Sequence, residues 1–210
     1  VSLVTAVKLY LVLINLLSGW LMYLAASRIL GSRPAGLAAG LFYLAAIFRL
    51  GEGYIDAAYG QFSAMAFLPL LCLGVYELLA GDWRRWGYAV AGFTLVFQTH
   101  ILSAVWSALF ILAAALVMIR NLRQKERLLA CLKAAGMIFL LNLWFLLPMV
   151  YMMGEPMNLE VLYCPFTEYT VPFALLFKVV PEIGFSTTKE GVKLENVLPL
   201  TIGLALLLSN

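Results

Sequence analysis

The feature that most constrains this chain is a repeated pattern: apolar runs of bilayer-spanning length, separated by short charged interruptions. A hydrocarbon core of about 30 Å takes roughly 20 apolar residues per helical crossing. Backbone polar groups find no water there, so helices and closed barrels are the structures that cross it. Barrel strands read as short alternating segments, whereas these runs are continuous, which leaves helices. Only 12% of the residues are charged and 64% are hydrophobic, against about 25% charged in an ordinary soluble domain. Too little polar surface exists to cover a water-soluble globule. The expected fold is therefore all-α, a polytopic transmembrane helical bundle.

The predicted crossings cover residues 3–24, 35–48, 62–79, two short ones within 87–119, then 128–151 and one from about 197. That makes about seven. The run 87–119 is too long for one crossing, and Gln98-Thr99-His100 interrupts it. Gly31 and Pro34 break the basic link after the first crossing. In Asp82-Trp83-Arg84-Arg85-Trp86, tryptophans flank arginines as at a membrane interface. Within the polar loop 152–196, residues 171–180 are apolar enough to lie on the membrane surface but too short to cross. The chain reads as a single transmembrane domain over 1–210, an internal piece of a longer protein, with external loops at 49–61 and 152–196. Cys72, Cys131 and Cys164 have no metal-ligand spacing, and the first two lie in apolar runs, which argues against a disulfide framework.

Basic residues in short loops favour the cytoplasm. Arg28, Arg33, Arg84, Arg85, Arg120, Arg123, Lys125 and Arg127 fall in one set of loops, which is assigned inside. The other set holds Arg49, Lys178, Lys189 and Lys193 together with Glu52, Asp56 and most of the remaining carboxylates, and is assigned outside. This alternation holds only if 87–119 crosses twice. Lys8 and Lys133 read as anchors that snorkel to the interface, and Glu77 as a side chain that reaches headgroups.

Charged groups near membrane depth tend to mark function. Glu52 and Asp56 stand four apart, and on one helix they would share a face. They could bind a divalent cation or form an acid and base pair, or simply keep a loop solvated. His100, the only histidine, could be a metal ligand or general base, or a structural residue at a helix end. Arg49 could pair a phosphate or snorkel. The sequence contains no phosphate-binding glycine loop, HExxH, paired CxxC or serine elbow. Its basic runs are short and topological, which gives no basis for a nucleic-acid partner.

Three stretches together resemble one bacterial family. They are Phe48-Arg49-Leu50-Gly51-Glu52-Gly53-Tyr54-Ile55-Asp56-Ala57-Ala58-Tyr59-Gly60-Gln61 leading into Ala64-Met65-Ala66-Phe67-Leu68-Pro69-Leu70, the break Gln98-Thr99-His100-Ile101-Leu102-Ser103, and Leu198-Pro199-Leu200-Thr201-Ile202-Gly203-Leu204-Ala205. The chain is similar to the large polytopic proteins called 6-pyruvoyl-tetrahydropterin-synthase-related membrane proteins, close to the YfhO-like group of the GT-C glycosyltransferase superfamily. The resemblance implies a GT-C-like fold in the bacterial cytoplasmic membrane. It also implies transfer of a sugar from a polyprenyl-phosphate donor, on the extracytoplasmic face, to a membrane lipid or cell-envelope polymer. The implied catalytic positions are Glu52, Asp56 and His100, with Arg49, Tyr54 and Gln61 binding substrate and Glu52 with His100 able to hold a divalent metal. The family's principal carboxylate lies in the first external loop, which would precede Val1. Gln61 stands where the family commonly has an acidic residue, and Asp56 where a basic one is frequent. Contrasting readings are a transporter or flippase of lipid-linked intermediates and a non-catalytic assembly subunit.

Overall fold

A computed structural model describes residues 2–152, which are helical almost throughout and contain no strand. Helix α1 spans Leu3–Ile29, opened by Ser2, whose hydroxyl accepts from Thr5 N–H at 3.2 Å. Gly31, at φ +64°, turns the chain back. Ser32 then caps α2 (Arg33–Leu44), which has Pro34 in its first turn. Helix α3 (Ile47–Tyr54) departs from α2 at a 44° bend. After it come α4 (Tyr59–Leu79), α5 (Gly87–Thr99), α6 (Ile101–Val117) and α7 (Lys125–Met152), with one-turn 3-10 helices at Trp83–Arg85 and Asn121–Arg123.

Three of these, α1, α4 and α7, are long and apolar enough to cross a bilayer, and α2 with α3 makes a fourth if the bent pair acts as one span. At 13 and 17 residues, α5 and α6 are each shorter than a full crossing at 1.5 Å per residue. The crossing predicted from 197 and the loop 152–196 lie outside the described residues. Several boundaries differ from expectation: α1 runs to Ile29 rather than to residue 24, and α4 begins at Tyr59 rather than at residue 62. The crossing at 35–48 bends at Ala45-Ala46 rather than ending at Phe48, and the stretch 49–61, expected as a loop, is helical to Tyr54 in α3 and again from Tyr59 in α4. Next to lipid a backbone satisfies its own hydrogen bonds, and Gly53 is tolerated because a Cβ there would lie 2.7 Å from the Phe62 ring.

Contacts fix the helix directions. Tyr10 of α1 bonds Ser63 near the start of α4, and Arg28 meets Glu77 near its end, so α1 and α4 run parallel. Helix α5 runs against α4: Ala89 abuts Gly74, Leu71 abuts Gly92, and Thr99 O lies by Gly60. Helix α6 then runs with α4, because Ala104 clusters with Ala64 while Ile111, Ala114 and Ala115 pack on Leu71, Val75 and Leu79. The chain therefore reverses at His100, where α5 ends and α6 begins, as the Gln98-Thr99-His100 interruption predicts.

Close approach is built on small residues, because lipid supplies no hydrophobic drive between helices. Gly36 and Gly40 of α2 lie against Ser27 and Gly19 of α1; a Cβ on Gly40 would stand 2.9 Å from Gly19 O. Helices α4 and α5 exchange glycines, Gly74 facing the Ala89 backbone and Gly92 facing the Leu71 backbone. Pro69 sits inside α4 and, lacking N–H, frees the carbonyl four residues earlier. Tyr43 of α2 donates its hydroxyl to that carbonyl, Met65 O, at 2.6 Å.

At the other end of α4 the arginine-bearing loops gather. Glu77 is only 3% exposed. It accepts from Arg28 Nε and from Asp82 N–H at 2.7 Å, with Arg85 at 3.8 Å. The expected headgroup contact is thus replaced by an ion pair between buried Glu77 and exposed Arg28 that ties α1 to α4. Arg127 donates to Leu78 O at 2.5 Å and Gly81 O at 3.1 Å, and Asn121 to Leu79 O at 2.8 Å. These side chains serve carbonyls that the helix end leaves without partners. Replacing Arg127 with methionine should therefore lower stability by about 2 kcal/mol, while the exposed Arg123→Met should be neutral. Thermal unfolding of both variants in detergent measures this, and equal melting temperatures would dismiss the capping role.

Candidate functional site

The candidate residues lie at the opposite end of α4, where α3 and the α5–α6 reversal meet it. Arg49 points inward from α3 and is 2% exposed. Its two terminal nitrogens each donate to Asn15 Oδ1 at 2.7 Å, and Nη2 also donates to Ser18 Oγ at 2.7 Å. Both partners belong to α1. Ser18 passes its own hydrogen to Ile14 O at 2.7 Å, and Asn15 Nδ2 donates to the Tyr54 hydroxyl at 2.6 Å. A five-group relay therefore runs from Tyr54 through Asn15, Arg49 and Ser18 to the α1 backbone. The guanidinium lies over the Phe62 ring at 4.7 Å and near Tyr43 at 5.6 Å, attractive positions for a cation. Arg49 Nε is buried without a partner, and no carboxylate pairs with this guanidinium among the described residues.

Glu52, one turn on, is half-buried and close enough to Asp56 and His100 to feel both electrostatically. It forms no ion pair with Arg49. Asp56 is exposed and lies off the helix, because α3 ends at Tyr54, so Glu52 and Asp56 do not share a helical face. Between them and α4, Ala57 takes φ 52°, a left-handed conformation that non-glycine residues visit at some cost. Gln61 is half-buried in the first turn of α4, and its side chain has no hydrogen-bond partner among the described residues.

His100 sits against Gly60, with its ring 3.8 Å from where a Cβ would be. Its Nδ1 accepts from Ser103 N–H at 3.2 Å and pairs with Ser103 Oγ at 2.8 Å, capping α6. While that backbone bond holds, the neutral ring carries its proton on Nε2 and offers a donor there. A metal bound through Nε2 would require the opposite tautomer. Among the described residues no group of three or more His, Cys, Asp or Glu could hold a metal ion. Glu52 with a capping His100 is therefore a poor donor set for a metal.

Gln98, beside the break, lies 3.4 Å from Asn142 of α7, which bonds Thr94 at 3.3 Å and Ile138 O at 2.7 Å. This polar contact joins α5 to α7. Residues absent from the sequence-based set are Asn15, Ser18, Tyr43 and Phe62, which form the Arg49 cradle. Asn15 and Ser18 carried a readable signal, being two polar residues three apart, hence on one face, in an apolar helix.

No family model matches the chain, and comparison with curated proteins and with solved structures yields no match either.

Proposed function

We propose that this chain is the membrane part of a bacterial cytoplasmic-membrane glycosyltransferase with a GT-C-like, roughly seven-span bundle. It would hold a polyprenyl-phosphate-linked sugar at the extracytoplasmic end, where α3 meets α4, and pass the sugar to a membrane lipid or cell-envelope polymer. In this reading α5 and α6 are two short crossings that meet outside at His100. The observation that carries it is Arg49, a buried cation without a carboxylate partner among the described residues. Such a charge is costly unless an anion joins it. A phosphate oxygen suits a guanidinium whose Nε is left without a partner, and the aromatic surround of Tyr43, Tyr54 and Phe62 suits the first isoprene units.

The chemistry assigned to these residues is a displacement. A carboxylate, Glu52 or the exposed Asp56, takes the proton of the acceptor hydroxyl. The acceptor oxygen bonds to the anomeric carbon as the bond from that carbon to the phosphate oxygen breaks. Polyprenyl phosphate leaves with the electron pair, offset by Arg49 and by a hydrogen bond from His100 Nε2. Tyr54 and Gln61 line the sugar's approach.

Purified protein in lipid nanodiscs, given radiolabelled polyprenyl-phosphate sugar and a bacterial lipid extract, tests the reading. Label should move into a new lipid or polymer product. The same label crossing a sealed vesicle membrane without a product would identify a flippase instead. Failure both to bind and to transfer would end the proposal.

A further inference from the structure

A recess of about 550 Å³ opens at the arginine-rich end, far from Arg49, between the α1–α2 pair and the α4–α5 pair. Arg28, Arg33, Tyr23 and Tyr88 line it near the helix ends, and Leu70 and Leu73 line it one to two turns deeper along α4. Its charge is one-sided. Of the two carboxylates that act on Arg28, Glu77 is buried and already engaged by Arg28, Arg85 and the Asp82 N–H, and the Asp82 carboxylate pairs with Arg85 at 3.3 Å. Arg28 contributes only its Nε to that pair, which leaves its terminal nitrogens without a hydrogen-bond partner among the described residues. Arg33 is exposed and has no ion pair there either.

We infer that this recess binds an anionic phospholipid of the leaflet that faces the basic loops, with the phosphate between Arg28 and Arg33 and an acyl chain on Leu70 and Leu73. Three features select a lipid over a soluble anion. The deep wall is leucine, useless to a free phosphate. Tyr23 and Tyr88 line the recess, and Tyr88 follows Trp86 by two residues; tyrosine and tryptophan both settle at headgroup depth. Basic pockets between helices on the cytoplasmic side suit anionic headgroups, which dominate that surface potential. The site is independent of the transferase reading: Ser18, which holds Arg49, and Arg28 are ten residues apart on α1, about 15 Å along the axis.

Native mass spectrometry of the detergent-purified protein, titrated with phosphatidylglycerol or phosphatidylcholine of identical acyl chains, is the test. Phosphatidylglycerol should be retained at roughly tenfold lower concentration. Arg33→Gln, at an exposed position with no partner to lose, should weaken its retention about fivefold. Arg123→Gln, equally exposed at the same end but outside the recess, should leave it unchanged. Equal retention of the two lipids, or no change in Arg33→Gln, overturns the inference. An equal loss in Arg123→Gln would reduce it to diffuse surface charge, and displacement by millimolar inorganic phosphate would make it a headgroup-only anion site; both outcomes also overturn it.

Discussion

Gly74→Leu should leave no correctly folded protein to purify, and Gly74→Ala alone should cost about 3 kcal/mol or more. The added Cβ would run into the Ala89 backbone nitrogen and Cα of α5 rather than into a movable side chain. Overpacking a side chain can be relieved by a rotamer change; overpacking a neighbouring backbone requires the helices to separate. Separation would also lift Gly92 from Leu71 and open the cluster of Ala64, Val96 and Ala104. In membranes this packing is itself the source of association. Gly136, on α7 with nothing within 4 Å of its added Cβ, supplies the control, and Gly136→Ala should be neutral or slightly stabilising. Size-exclusion profiles and thermal unfolding in detergent compare the two. A monodisperse, normally melting Gly74→Ala would mean that α4 and α5 do not pack as described.

On the transferase proposal, Arg49→Met should reduce sugar transfer about 100-fold or more, because the leaving phosphate would lose its counter-charge. Arg49→Lys should rescue little of it, since an ammonium replaces neither the planar fork nor the stacking on Phe62. Stability is the other half of the prediction. Removing the guanidinium leaves Asn15 Oδ1 without its donor, a loss of about 1–2 kcal/mol. The triple variant Asn15→Leu, Ser18→Ala, Arg49→Met removes both groups that the single change orphans and leaves only the exposed Tyr54 hydroxyl without its partner, so it should melt at or above the wild-type temperature while remaining inactive. Full activity in that folded triple variant would make Arg49 a structural cation, and the donor phosphate would have to bind elsewhere.

The helical class was legible because continuous apolar runs leave the backbone no other choice. The reversal at His100 was legible because three consecutive polar residues interrupt the run at 87–119. The bend between α2 and α3 was not: Ala45-Ala46 contains neither glycine nor proline, and nothing local marks it. Glu77 was misread because its partner Arg28 lies 49 residues away, and only the parallel course of α1 and α4 brings them together. The spacing Gly36-x-x-x-Gly40 was present to be read as a helix contact. For the candidate site, Arg49, Glu52 and His100 stood out as polar residues in an apolar chain. The inward turn of Arg49 towards α1 depends on which helix packs beside α3, and that is tertiary information.

Tyr43, Arg28, Asn121 and Arg127 also carry information about time. The partners α4 needs at its midpoint and at Glu77 are Tyr43 and Arg28, both made before α4 leaves the ribosome. Its terminal carbonyls wait for Asn121 and Arg127, some 42 to 50 residues later. A nascent α4 can therefore enter the bilayer against a finished α1–α2 hairpin that shields its proline gap and its carboxylate, but its last turn stays open until the start of α7 has been synthesised. Chain order thus sets the α1–α2 hairpin ahead of the helix whose proline gap and carboxylate it covers, and leaves the last turn of that helix to partners made last.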